Sequence, residues 1–114
     1  MRADDRQRLA DILAAAEAAI AYAQRPSRTG KRDELILDAL TYRLMVVGEA
    51  ANAVSDATRQ AHPELPWRQM IGMRNWVVHA YWKVDRDNVL ETVASDLPAL
   101  VAKLRPIVSG QERT

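Results

Sequence analysis

The hydrophobic positions of this chain recur at steps of three and four residues almost from end to end. This spacing places them on one side of a helix, whereas a half-buried strand would need strict alternation. A first helix is predicted over 4–24, with one face formed by Leu9, Ile12, Leu13, Ala16, Ile20 and Ala23. A second helix is predicted from about Asp33, with a stripe formed by Leu37, Leu40, Leu44, Val47, Ala51 and Val54 and widened by Ile36, Val46 and Ala50. A face this broad requires two neighbouring helices.

Clusters of proline, glycine and small polar residues divide this helical pattern. The stretch 25–30 is predicted to be a loop, because proline and glycine stop helices and small polar residues favour turns. The stretch 62–66 contains two prolines and is predicted to end the second helix. Pro66 suits the first turn of a third helix, since proline has no amide hydrogen to leave unpaired there.

A last helix is predicted after the third one. Asp85 or Asp87 is expected to cap it, and Pro98 is expected to kink or divide it. Its apolar positions are Val89, Leu90, Val93, Leu97, Leu100, Val101 and Leu104. The sequence has no alternating strand pattern and no internal repeat, so it predicts an all-α antiparallel bundle of four to five helices.

Length and composition limit the classes of protein that fit. The 114 residues predict a single domain over 1–114, with a frayed tail from about residue 109. The chain has no cysteine, which excludes disulfides, a thiolate nucleophile and a cysteine-type zinc site. Sixteen basic and fifteen acidic residues give a net charge of +1, so any contact with RNA is expected to be local. Neither an export signal nor a membrane span is indicated, and a cytoplasmic location is expected.

The stretch 74–81 carries the candidate chemistry, because Arg74, His79 and Tyr81 lie within eight residues. Arginine binds phosphate through a planar fork of donors, and histidine exchanges a proton near neutral pH. Cleavage of RNA needs a base that activates a 2′-hydroxyl and an acid that protonates the departing oxygen, and His79 can fill either role. Arg74 would stabilise the charge that develops on the phosphate. A metal-assisted reaction is the alternative, but Asp85 and Asp87 fit a helix cap better than a metal site.

The spacing of the motif indicates a second subunit. Residues five apart on an ideal helix are separated by roughly 140° around the axis and about 7.5 Å along it. Two copies of the motif facing each other across a two-fold axis would bring two arginines and two histidines into one cleft. A homodimer is therefore expected, although a bend after His79 would instead gather Arg74, His79 and Tyr81 within one subunit.

Arg74, four intervening residues and His79 resemble the signature of the HEPN superfamily of small helical ribonucleases. Further segments resemble the HepT toxin family within it, namely Gly48-Glu49-Ala50-Ala51, Pro66-Trp67, Gly72-Met73-Arg74-Asn75 and Tyr81. The likeness covers nearly the whole chain. The arginine and histidine spacing alone is a weak signal, but its combination with the other segments is specific.

The resemblance implies an HEPN-like fold and the toxin of a type VII toxin-antitoxin pair. Such a toxin is a homodimeric, metal-independent endoribonuclease without a cofactor, and Arg74 and His79 would be its catalytic residues. The implied antitoxin is a nucleotidyltransferase of the MntA type, which uses ATP to transfer AMP to the tyrosine of the Arg-x4-His-x-Tyr motif, here Tyr81. An anionic adenylate there would occupy the space and the positive charge that RNA phosphate needs.

Several of these residues also fit structural roles. His79 has apolar neighbours that suit a buried structural histidine, and Arg74 could form an interhelical salt bridge with Glu49. Asn75 fits a brace for a backbone turn as well as a contact to RNA. Glu49 and Asn52 fit both the lining of the cleft and a hydrogen bond across the bundle.

Other candidates are expected to be structural or solvated. Trp67 is expected in the core and His62 in a solvated loop, while Tyr81 and Trp82 could be packing residues. Arg68, Lys83 and Arg86 are surface residues that could still guide RNA phosphates. Two competing classes of protein stay open. One is a catalytically inactive HEPN module that docks or presents substrate to a nucleotidyltransferase, and the other is an inert structural bundle.

Overall fold

The computed structural model describes residues 1–25, 30–75 and 86–110, without the side chains of residues 30–33 and 86. Six α-helices lie in these ranges: α1 (Ala3–Ala23), α2 (Gly30–Ala53), α3 (Asp56–Ala61), α4 (Trp67–Gly72), α5 (Arg86–Glu91) and α6 (Leu97–Ser109). A π-helical turn over Thr92–Asp96 joins α5 to α6. No strand occurs in these three ranges, and the predicted all-α antiparallel bundle is confirmed.

The core lies where the two long helices pack along each other. Helix α1 packs most extensively against α2 and next against α6, and α4 also packs against α2. The predicted stripe is buried from Leu40 on α2 to Val54, which directly follows the helix, and Leu37 is half-buried at its edge. Helix α2 already includes Gly30, so it begins before the predicted Asp33, and residues 26–29 of the predicted loop lie outside the described ranges.

The second helix ends earlier than predicted, because Ser55 breaks it and caps a separate short helix. Ser55 has an extended backbone, and its hydroxyl accepts a 3.4 Å hydrogen bond from the amide of Thr58. Asp5, only 2% exposed, accepts bonds from the Ser55 amide (3.0 Å), the Ser55 hydroxyl (2.6 Å) and the Thr58 hydroxyl (2.7 Å). These bonds lower the pKa of Asp5 to about 2. The junction depends on a residue fifty positions earlier, so local spacing did not reveal it.

An arginine on α3 completes this junction. The guanidinium of Arg59 donates to the carbonyls of Val54 (3.1 Å), Asn52 (2.8 Å) and Ala51 (3.4 Å). These carbonyls lie at the end of α2, where backbone oxygens lack helical partners and attract a cation. Arg59 therefore stabilises the bend between α2 and α3.

The corner before α4 is more closely packed than expected. The His62 side chain is only 14% exposed, and its Nδ1 lies 3.1 Å from Glu64 Oε1, so the prediction of a solvated histidine is wrong. The carbonyl of His62 accepts a 2.9 Å hydrogen bond from the Trp67 indole, which accounts for part of this burial. Trp67 itself packs against the core at partial burial. Pro66 directly precedes α4 instead of lying in its first turn.

The last helical region is divided just before Pro98, as predicted. The amide of Leu97 donates to the carbonyl of Thr92, five residues back, and Pro98 follows in the first turn of α6. Proline cannot donate to the ladder and clashes with the preceding turn, so a widened turn is a favourable way to accommodate it. Asp87 lies in the first turn of α5 and is not its cap, while residue 85 lies outside the described ranges.

Six of the seven apolar positions predicted for this region are buried. Leu90 is the exception, at 37% exposed. Helix α6 includes Ser109 and ends at Gly110, whose φ of 77° is left-handed and suits glycine. The frayed tail stays a prediction for residues 111–114, which lie outside the described ranges.

Candidate functional site

Arg74 lies in a turn that directly follows α4. The helix predicted to carry the whole motif ends at Gly72, so that prediction is wrong for residues 73 and 74. The amides of Met73 and Arg74 donate to the carbonyls of Met70 (3.0 Å) and Ile71 (3.3 Å), each three residues back. Such bonds tighten the last turn of a helix and rotate the residues that follow. The side chain of Met73 is buried in the core, which fixes the turn beneath Arg74.

The position of Arg74 is set by a close approach of its backbone to Gly48, in the last third of α2. A Cβ atom at residue 48 would lie 2.3 Å from the Arg74 backbone nitrogen, 2.7 Å from its Cβ and 2.9 Å from its Cα. A side chain of any size would therefore collide with the chain at Arg74. Glycine within a helix costs about 1 kcal/mol relative to alanine, and this approach explains why it is present.

The Arg74 side chain is half-buried, and no hydrogen bond or ion pair joins it to the rest of the described chain. The salt bridge between Arg74 and Glu49, the structural alternative, is absent from the ion pairs between described residues. The Glu49 side chain is exposed to solvent. A guanidinium held by its backbone but without a carboxylate partner keeps its donors for an anionic ligand. Asn75 is exposed beside it.

The other motif residues, His79 and Tyr81, lie outside the described residues, as do Trp82, Lys83 and residue 85. Their convergence with Arg74 and the homodimer stay predictions. Glu49 and Asn52 are both exposed on α2, and Glu49 borders a shallow groove between α1 and α2. Whether they line a cleft also stays a prediction.

The sequence pattern alone did not predict the role of Gly48, although a glycine inside a helical pattern is a signal of close packing.

Two classes of site can be assessed over the described part of the chain. Within it, no three histidine, aspartate or glutamate side chains come together as a group that could hold a metal ion. No helix in the same ranges has both the length and the apolar character needed to cross a bilayer.

Comparison with known proteins identifies a family whose members resemble this chain over most of its length, including Gly48 and Arg74. The model of the family described as "Ribonuclease HepT-like" matches residues 12–107. A Thermococcus cleftensis protein named "Probable ribonuclease HepT" is 38% identical over 64 residues, which cover 56% of this chain and 58% of that protein. A Caldanaerobacter subterraneus protein that bears the name RNase is 26% identical over 81 residues, covering 71% of this chain and 72% of the relative.

A Methanocaldococcus jannaschii protein that also bears the name RNase is 29% identical over 68 residues, covering 60% of this chain and 62% of that protein. The chain thus spans less than two thirds of the Thermococcus and Methanocaldococcus relatives. No solved structure matches the chain. The family match extends over most of the sequence and includes both Gly48 and Arg74, so the chain belongs to the ribonuclease HepT-like family.

Proposed function

We propose that this protein is a metal-independent endoribonuclease and the toxin of a type VII toxin-antitoxin pair in the cytoplasm. The observation that carries the proposal is Arg74, a cation fixed through its backbone by Gly48 and left without an ion-pair partner among the described residues. Membership of the ribonuclease HepT-like family supports RNA as its substrate.

The proposed reaction needs only the side chains of the motif. His79 of one subunit accepts the proton of the 2′-hydroxyl, and the 2′-oxygen attacks the adjacent phosphorus. His79 of the second subunit protonates the departing 5′-oxygen, which leaves a cyclic phosphate on one product. Arg74 binds the phosphate oxygens, where negative charge develops. A homodimer is part of the proposal, because one histidine cannot be base and acid at the same moment.

Inhibition would act on the same residues. A nucleotidyltransferase antitoxin of the MntA type would transfer AMP from ATP to the Tyr81 hydroxyl, releasing pyrophosphate. The added phosphate would compete with RNA for Arg74, and the added nucleoside would fill the adjoining space.

The first test is growth of cells after induction of this protein, alone and with a co-expressed nucleotidyltransferase of the MntA type. The parent is expected to arrest growth, whereas His79→Ala is not, because it lacks the proton-transfer group. Tyr81→Phe is expected to stay toxic in the presence of the transferase, since it lacks the acceptor hydroxyl. Growth of the parent without arrest, despite soluble and unmodified dimer, would favour the inactive docking module.

The second test is cleavage of a fluorescent RNA oligonucleotide by the purified dimer. Arg74→Lys keeps the charge but loses the bidentate fork, so a large loss of kcat/KM is expected. Arg105→Lys is a matched control on the exposed surface of α6 and is expected to keep parental kcat/KM. Cleavage is expected to continue in EDTA. Cleavage lost in EDTA would refute metal independence, and an unchanged Arg74→Lys would show that Arg74 is structural.

A further inference from the structure

Two tyrosines and two arginines form a second group of residues suited to RNA, on helices α1 and α2. The Arg25 guanidinium lies 5.6 Å from the centre of the Tyr22 ring. The Arg43 guanidinium lies 5.5 Å from the Tyr22 ring centre and 5.7 Å from that of Tyr42. These distances are in the range of cation–π contacts. We call these four residues the tyrosine–arginine cluster.

Packing between α1 and α2 explains only part of this cluster. Arg43 Nη2 donates a 3.0 Å hydrogen bond to the Tyr22 hydroxyl, which joins the two helices. The other guanidinium donors of Arg43 make no hydrogen bond to a described residue. Neither Arg25 nor Arg43 forms an ion pair within the described ranges. The Tyr42 side chain is 55% exposed. Positive charge and aromatic surface are therefore both open to a ligand.

A groove suited to a flat ligand adjoins the cluster. It has a volume of about 430 Å³ and is lined by Tyr22, Arg25, Leu35, Ile36 and Ala39. Its walls are mainly apolar, and Leu35 is 69% exposed there. We call it the Tyr22 groove. An apolar slot beside an aromatic ring and two cations matches a nucleobase with its phosphate.

The most basic stretch of the sequence begins at Arg25, a member of the tyrosine–arginine cluster. The window 25–32 holds Arg25, Arg28, Lys31 and Arg32 and no acid, and no other eight-residue window of the chain has four basic residues. Because the whole chain carries a net charge of only +1, this window is its strongest local attraction for a polyanion.

We propose that the tyrosine–arginine cluster and the Tyr22 groove bind a nucleotide of single-stranded RNA apart from the nucleotide at Arg74. The proposal rests on the proposed function in taking RNA as the substrate. Arg43 precedes Gly48 by five residues, which is about 7.5 Å along α2 and roughly 140° around its axis, so a strand bound at both places would pass around α2. A second copy of this chain fits the face less well, because a two-fold contact would bring the same positive patches together.

The test measures binding of a 5′-fluorescein-labelled single-stranded RNA 12-mer by fluorescence anisotropy, with His79→Ala in every protein to prevent cleavage. The double variant Arg25→Gln, Tyr42→Ser removes one cation and one exposed ring. Its Kd is expected to rise at least tenfold, and the salt dependence of log Kd is expected to weaken by about 0.7 for the lost phosphate contact. Arg105→Gln is the matched control, since it removes an exposed cation from α6 and is expected to keep the parental Kd within twofold.

Three results would overturn the proposal. The first is a double variant whose Kd equals that of the His79→Ala protein. If the parent with His79 intact cleaves RNA, this result removes the second site and leaves the proposed function intact. The second is a monomeric double variant by light scattering, which makes this face an interface between copies. The third is absence of RNA binding by the His79→Ala protein itself. Tight binding through the cluster in a protein that never cleaves RNA would instead refute only the proposed function.

Discussion

Substitution of Gly48 by alanine tests the contact that fixes Arg74. The added methyl group would lie 2.3 Å from the Arg74 backbone nitrogen, whereas ordinary van der Waals contact begins at 3.4 Å. The obstructing atoms belong to the backbone and Cβ of Arg74, so no rotamer change can relieve the collision. Helix α2 and the turn after α4 must therefore separate by ~1 Å, moving Arg74 relative to the rest of the site.

The expected changes in the free energy of unfolding and in kcat/KM of Gly48→Ala follow from two opposing effects on stability and one on catalysis. Overpacking against a backbone is expected to cost ~3 kcal/mol, and the better helix propensity of alanine returns ~1 kcal/mol. The free energy of unfolding is therefore expected to fall by ~2 kcal/mol. A displacement of ~1 Å in a positioned group lowers catalysis by ~100-fold, and we expect that loss in kcat/KM for RNA cleavage.

The assay pairs urea unfolding, followed by circular dichroism, with cleavage of a fluorescent RNA under conditions in which the variant is fully folded. Gly72→Ala is the matched control, because a Cβ at that exposed position meets nothing within 4 Å. It is expected to leave both stability and kcat/KM near the parental values. Parental kcat/KM in a destabilised Gly48→Ala would refute the positioning of Arg74 by α2, and parental stability would refute the close approach itself.

Two further predictions concern the junction of α2 and α3. Asp5→Ala is expected to lower the free energy of unfolding by ~1–3 kcal/mol, since it leaves the Ser55 amide and two hydroxyls without their acceptor, and exposed Asp4→Ala is expected to change it little. The Asp5 pKa is lowered to about 2 from 3.8, so its contribution to stability is present above pH 4 and declines towards pH 2. The urea midpoint is therefore expected to fall further over this range in the parent than in Asp5→Ala, which keeps the other titrating carboxylates, such as Glu64 with its lowered pKa. Arg59→Lys is expected to destabilise by ~1 kcal/mol in the same assay, because one ammonium cannot reproduce the guanidinium bonds to the end of α2, and a parental midpoint would contradict this role.

Hydrophobic spacing predicted the long helices well because it depends on local geometry alone. The stripe on α2 was assigned from steps of three and four residues, and its predicted members from Leu40 to Val54 are buried. Pro98 correctly marked the division of the last helix, since the missing amide hydrogen acts within one turn.

Features that depend on distant residues were not predictable in this way. No proline or glycine marks the break at Ser55, and the bonds that Ser55 donates to Asp5 reach a residue fifty positions earlier. His62 was expected in solvent because of its loop, whereas its burial depends on how the corner packs. At the candidate site, the chemistry of the residue types and the family resemblance both identified Arg74. Its close approach to Gly48 depends on how α2 and α4 pack, which no local pattern contains.

The close approach between Gly48 and Arg74 involves the main chain of α2 and not the side chains that neighbour Gly48 on that helix. Glu49 and Asn52, close by on α2, are exposed and make no side-chain bond to Arg74 among the described residues. Their identities are therefore free to vary without altering the scaffold beneath the arginine. A library randomised at these two positions tests whether they influence the proposed RNA cleavage, because its members would differ in surface chemistry while sharing the arginine that we propose binds phosphate.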